Sequence, residues 1–118
     1  MSYDISLNDP VTNEPIEFDE RHDIKGGTYC IGGTHQASLN ITYNYSRHYY
    51  KTIGDKGIRT IYGISGAESI PILKKAIKQL TNDVSDDYWT PTEGNAKKAL
   101  YGLLAFAQLR PDGIWDGD

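Results

Sequence analysis

Asn44, Arg47, His48, Tyr49 and Tyr50 fall within one short stretch of the chain, and Arg59 follows a few residues later. A guanidinium grips phosphate oxygens in pairs, a phenol ring stacks on a base, and an asparagine amide matches amide-like edges. Such residues would suit a pocket for a nucleotide-like anion. Arg47 and Arg59 would hold phosphate, Tyr49 and Tyr50 would stack, Asn44 would orient the ligand, and His48 would stand beside them. The same residues also fit an internal scaffold. In that reading Tyr43 and Tyr45 belong to a core face, Tyr49 and Tyr50 cover a sheet edge, and Arg47 and Arg59 pair with the acids of residues 14 to 23. Both readings stay open at the level of sequence, and the pocket is taken forward as the leading expectation.

Other constellations are weaker. His22, His35 and His48 could in principle supply three zinc ligands, but none has the i, i+3 or i, i+4 partner that makes a metal motif specific. Asp83, Asp86 and Asp87 lack the glycine turn and terminal glutamate of a calcium loop and read as a solvated acidic linker. A small hydrolase using His48 or a metal is the third reading, with no Gly-x-Ser-x-Gly elbow to support it. Cys30 is the single cysteine, placed in a short apolar run, and reads as a buried inert thiol. The pairs Gly26-Gly27 and Gly32-Gly33 do not open a helix as a phosphate-binding fingerprint requires, so they read as shaping the sheet. No cofactor is implied.

Charge is distributed in three blocks. Residues 1 to 23 carry seven carboxylates against Arg21, residues 24 to 81 carry eight Lys/Arg against two acids, and residues 82 to 118 carry seven acids against three bases. The total is −4, so an acidic protein has a basic middle, and that middle holds six of the nine tyrosines. Acidic ends repel long nucleic acid and anionic membrane surfaces but tolerate a small anion. There is no apolar run near the roughly 18 residues a membrane span requires, and the N-terminus lacks the basic and apolar segments of a signal peptide. A cytoplasmic protein is expected. At 118 residues with 38% hydrophobic content, residues 1–118 suit a single domain.

These residues must be positioned by elements that the pattern suggests. Tyr3, Ile5 and Leu7 alternate with polar residues, and Ile16 and Phe18 flank Glu17, which predicts a β-hairpin. A third strand fits residues 28 to 31. Residues 37 to 45 alternate as a fourth strand with a wholly polar outer face, residues 46 to 53 read as a helical turn, and 58 to 62 read as a further strand. A helix is expected over 70 to 80 with Ser69 as its cap. The competing start at Ser65, with Glu68 at capping-box spacing, would put Pro71 inside the helix at a cost of about 3 kcal/mol. Thr90-Pro91-Thr92-Glu93 predicts a second helix capped by Thr90 and ending near Leu109, with Gly102 inside it either closely approached by another backbone or merely tolerated. Trp115 is expected to fold back as an anchor. The fold class is α+β, a mostly antiparallel sheet of four to five strands with two helices packed on one face.

The runs ITYNYSRHYYKTIGDKGIRTIYGISGAESIP, DDYWTPTEGNAKKAL and RPDGIW resemble small phage and prophage proteins, over about Gly26 to Trp115. No activity and no residue roles are attached to that family. Compact acidic phage proteins often act against host defence, by sequestering a nucleotide signal or by plugging a defence protein. The leading expectation is therefore a non-catalytic binder of a nucleotide-like ligand, acting as a homo-oligomer in the host cytoplasm. The alternative is an inhibitor that docks its acidic surfaces on a host protein, with the basic middle as scaffolding.

Overall fold

A computed structural model describes residues 1 to 24 and 34 to 118. The strand expected over 28 to 31, Cys30 and both glycine pairs lie outside the described residues. Strand β1 (Ser2–Asn8) is the centre of a three-stranded antiparallel sheet. On one side lies β4 (Ser38–Thr42), with Tyr3 opposite Ile41 and Ile5 opposite Leu39. On the other lies β5 (Ile114–Gly117), with Leu7 opposite Trp115. Alternation puts Tyr3, Ile5 and Leu7 on the buried face, where Leu39, Ile41 and Trp115 join them.

A separate two-stranded ribbon pairs β2 (Glu17–His22) with β3 (Thr34–Gln36). Among the described residues the expected single sheet is thus two sheets, with five strands between them. The expected hairpin between residues 2 to 8 and 16 to 18 shrinks to one bridge, Asn8 to Pro15. Proline has no N–H to extend a ladder, and β1 already gives its Leu7 N–H to Ala37 O at 2.9 Å. Ala37 in turn donates to Ile16 O at 2.8 Å, so at this residue the chain passes from the ribbon to the sheet.

The strand expected to run to Tyr45 ends at Thr42. The Thr42 hydroxyl accepts from Asn44 N–H at 3.2 Å and caps a 3₁₀ turn over Tyr43–Tyr45. Thr42 itself is buried, so the polar outer face is covered at this end. Helix α1 (Ser46–Thr52) follows, as expected. Residues 58 to 62, expected as a strand, fall instead on another 3₁₀ turn, Gly57–Ile61, in which i, i+3 spacing buries both Ile58 and Ile61. Their β-branched side chains signalled burial, not extended backbone.

Helix α2 (Gly66–Gln79) starts at the competing cap, with Pro71 inside it. Ser65 Oγ accepts from Glu68 N–H at 3.0 Å, and Glu68 Oε1 accepts from Ser65 N–H at 3.2 Å. Gly66 and Ala67 donate to Gly113 O and Pro111 O at 2.7 and 2.9 Å. The orphan donors of the first turn are all placed, which outweighs the one ladder bond lost at Pro71. Helix α3 (Glu93–Leu109) is capped by Thr92 rather than Thr90, because Thr92 Oγ1 accepts from Asn95 N–H at 3.1 Å.

The three α-helices of the described residues, one more than expected, share one core with the sheet. Gly102 is where α3 meets the sheet layer. A Cβ there would stand 2.6 Å from Ile24 Cγ2 and 2.8 Å from Leu39 Cδ1, so side chains rather than a crossing backbone demand glycine. Trp115 is 1% exposed and donates its indole N–H to Ser69 Oγ on α2 at 2.8 Å. Trp115→Phe should lower stability by about 1 to 3 kcal/mol through lost volume and the lost bond. Ser69→Ala in the Trp115→Phe background should cost less than in the wild type, by urea denaturation.

Arg110 donates to both oxygens of Asp112 at 2.9 Å and meets Asp9 at 3.5 Å. The hydrogen bond from Arg110 holds the Asp112 carboxyl below its ordinary value. Asp9 is lowered first by the N–H groups of Val11 and Thr12, with Arg110 adding to them. A carboxylate with a lowered folded pKa stabilises above its unfolded value of about 3.9, and that contribution is lost as pH falls. Arg110→Gln should therefore reduce the drop in urea midpoint between neutral pH and about pH 3.

Candidate functional site

Helices α2 and α3 are joined by residues 80 to 92, a long connection with no regular secondary structure. Loops of this length inside a compact fold are usually functional. Its carbonyl oxygens turn inward and find side-chain donors. Asn44 Nδ2 donates to Trp89 O at 2.8 Å, Tyr45 OH donates to Tyr88 O, and His48 Nε2 donates to Pro91 O at 2.8 Å. Arg47 Nη2 reaches the same Pro91 O at 3.4 Å. A carbonyl only accepts, so His48 carries its proton on Nε2. Burial pushes the Tyr45 phenol up to about 12, with Asp87 and Tyr88 adding to the effect, so it remains a donor.

The other side of the loop hangs on Asn95, 5% exposed in the first turn of α3. Its Nδ2 donates to Asp87 O at 3.2 Å and Thr90 O at 3.0 Å, and its Oδ1 accepts from Ser85 N–H at 3.1 Å. Gly94 N–H donates to Asp83 O at 2.9 Å, and a Cβ at Gly94 would fall 2.5 Å from that oxygen. Lys97 Nζ closes the entry, donating to Leu80 O at 3.2 Å and Asn82 Oδ1 at 2.7 Å.

With the backbone turned inward, the side chains face out. Asp83, Asp86 and Asp87 are exposed. Val84 and Trp89 are 50% and 46% exposed, and the Trp89 ring lies 5.0 Å from the half-buried Tyr88 ring. A groove of about 340 Å³ runs beside the loop, lined by Arg47, His48, Asp83, Thr90, Thr92 and Glu93.

Of the residues singled out from sequence, Asn44, Arg47 and His48 converge, but on backbone carbonyls. Tyr49 is fully buried and donates to Ala96 O at 2.9 Å, which removes its ring from any external ligand. Tyr50 is 49% exposed and packs its ring over Gly57. Arg59 lies in a different environment, its Nε donating to Asp118 O at 2.8 Å and Nη2 to Tyr43 OH at 3.3 Å. Arg47 and Arg59 share no partner, and both meet oxygens other than the carboxylates of residues 14 to 23. His22 and His35 bond to Gln36 O and Phe18 O, and among the described residues no three His, Cys, Asp or Glu side chains group as a metal site. No described helix is long and apolar enough to cross a membrane.

Sequence reasoning overlooked Asn95 and Gly94. Their signal is the Glu-Gly-Asn run at the start of α3, where glycine is a poor helix former and needs a reason to be present. No protein-family model, curated protein or solved structure matches the chain.

Asn95→Ala should strand the loop carbonyls it now satisfies and cost about 1 to 3 kcal/mol. The Ser85 amide should exchange with solvent at least about tenfold faster, while core amides of β1 keep their protection below global opening. Unchanged Ser85 exchange would show that Asn95 does not hold the loop.

Proposed function

We propose that this protein is a binding module that docks the acidic, aromatic loop of residues 80 to 92 on a basic surface of a protein partner. The observation that carries it is the loop's construction: residues of the basic tyrosine-rich segment and of α3 hold its backbone, while Val84, Trp89 and three aspartates are offered to solvent. A half-exposed tryptophan is a typical anchor of a protein interface, and a loop held in place loses little entropy on docking. Carboxylates around it favour encounter with a positive surface and suppress wrong partners. The likeness to small phage and prophage proteins would make the partner a host protein, and inhibition the consequence of docking.

A nucleotide-like ligand is less well supported, because the two arginines, the two tyrosines and Asn44 do not line one opening. An upward shift of the melting temperature by several degrees with a nucleotide, lost in Arg47→Ala, would reverse this ranking.

With a purified partner, Trp89→Ala should weaken binding by at least about 30-fold, equivalent to about 2 kcal/mol. Replacing Asp83, Asp86 and Asp87 by Asn should slow association and flatten its salt dependence. Arg47→Ala should change affinity little, because Pro91 O keeps its shorter bond from His48. Binding unaffected by both loop variants would overturn the proposal.

A further inference from the structure

We propose that Arg59, Tyr62 and the backbone N–H of Asp4 form a cradle for a small oxyanion, a carboxylate or phosphate group, which in the free protein is occupied by the chain's own Asp118. The cradle is separate from the loop and does not depend on the docking role. Three donors from distant parts of the chain meet on one residue. Arg59 Nε donates to Asp118 O at 2.8 Å, Tyr62 OH donates to the same oxygen at 3.3 Å, and Asp4 N–H donates to Asp118 Oδ1 at 2.8 Å.

The guanidinium is pre-oriented. Its carbon stands 4.8 Å from the centre of the Tyr3 ring and 5.7 Å from that of Tyr43, and Nη2 is tied to Tyr43 OH. Cation–π contact with two rings fixes the plane of the fork, leaving its Nε edge toward Asp118. Burial raises the Tyr62 phenol, which therefore remains a donor. Arg59 and Tyr62 meet the main-chain oxygen of Asp118 and Asp4 N–H meets its side-chain oxygen, and a bound carboxylate or phosphate would present two oxygens of its own to these fixed donors.

Entry of Asp118 depends on its neighbour. A Cβ on Gly117 would stand 2.5 Å from Tyr62 Cζ, 2.6 Å from Tyr62 OH and 2.9 Å from Asp4 O, so a side chain here must push away the segment, the Tyr62 phenol or both. The occupant is tethered, and a free anion must compete with it at a high effective concentration. Displacing Asp118 should therefore unmask the cradle.

Gly117→Val is the displacing variant, and inorganic phosphate and acetate are the probes, compared at constant ionic strength with chloride. In Gly117→Val, phosphate or acetate should raise the melting temperature by a few degrees, and Gly117→Val/Arg59→Ala should show no rise. The wild type should need about tenfold more of either anion for the same shift. Response to acetate alone would assign the cradle to carboxylates, and response to phosphate alone to phosphate groups. A rise of equal size in the double variant, or none in Gly117→Val, would overturn the proposal. Should Gly117→Val fail to fold, NMR titration of the wild type decides: the Asp4 amide and Arg59 Nε–H signals should shift together with either anion, and their failure to move would overturn it.

Discussion

A backbone carbonyl taken out of water needs a donor, and a connection without helix or strand cannot supply its own. That constraint organises this protein around residues 80 to 92. The loop's inward carbonyls are met by Asn44, Tyr45, Arg47 and His48 from one side and by Asn95 and Gly94 from the other. Removing Tyr45 or Asn95 would leave a part-buried oxygen without that donor, which costs more than the net value of the bond itself. The side chains that look, by type, like a ligand pocket are thus largely committed to the protein's own main chain.

The charge asymmetry has a related explanation. Among the described residues Lys51 pairs with Glu93, and Arg110 with Asp9 and Asp112. Asn44, Tyr45, Arg47, His48 and Tyr49 of the middle donate to main-chain carbonyls, and the exposed carboxylates of the loop keep their field for something outside the molecule. A surface of that sign gives speed and selectivity of encounter, while Trp89 and Val84 supply the apolar area that holds a complex together.

Much of the secondary structure was legible where one local signal decided it. Alternation at Tyr3, Ile5 and Leu7 gave β1, and the stop near Leu109 and the inward fold of Trp115 were readable from proline and amphipathic character. The errors have physical causes. Ile58 and Ile61 are buried by a 3₁₀ turn, and β-branching cannot distinguish that from a strand. The start of α2 depends on Pro111 and Gly113, far along the chain, so a local penalty at Pro71 pointed to the wrong cap. The handover at Ala37 from ribbon to sheet is likewise a long-range bond pattern. For the site, residue types drew attention to the segment that holds residues 80 to 92, but nothing in Asn44-Tyr45-Ser46-Arg47-His48 tells whether the donors face a ligand or residues more than forty positions away.

The first turn of α2 borrows two of its acceptors, Gly113 O and Pro111 O, from the segment just after α3. During synthesis only the capping box of Ser65 and Glu68 holds that turn until the later segment has emerged and turned back. A nascent chain halted before residue 111 would display the apolar stripe of α2 with a frayed start, the condition in which chaperones or proteases take hold.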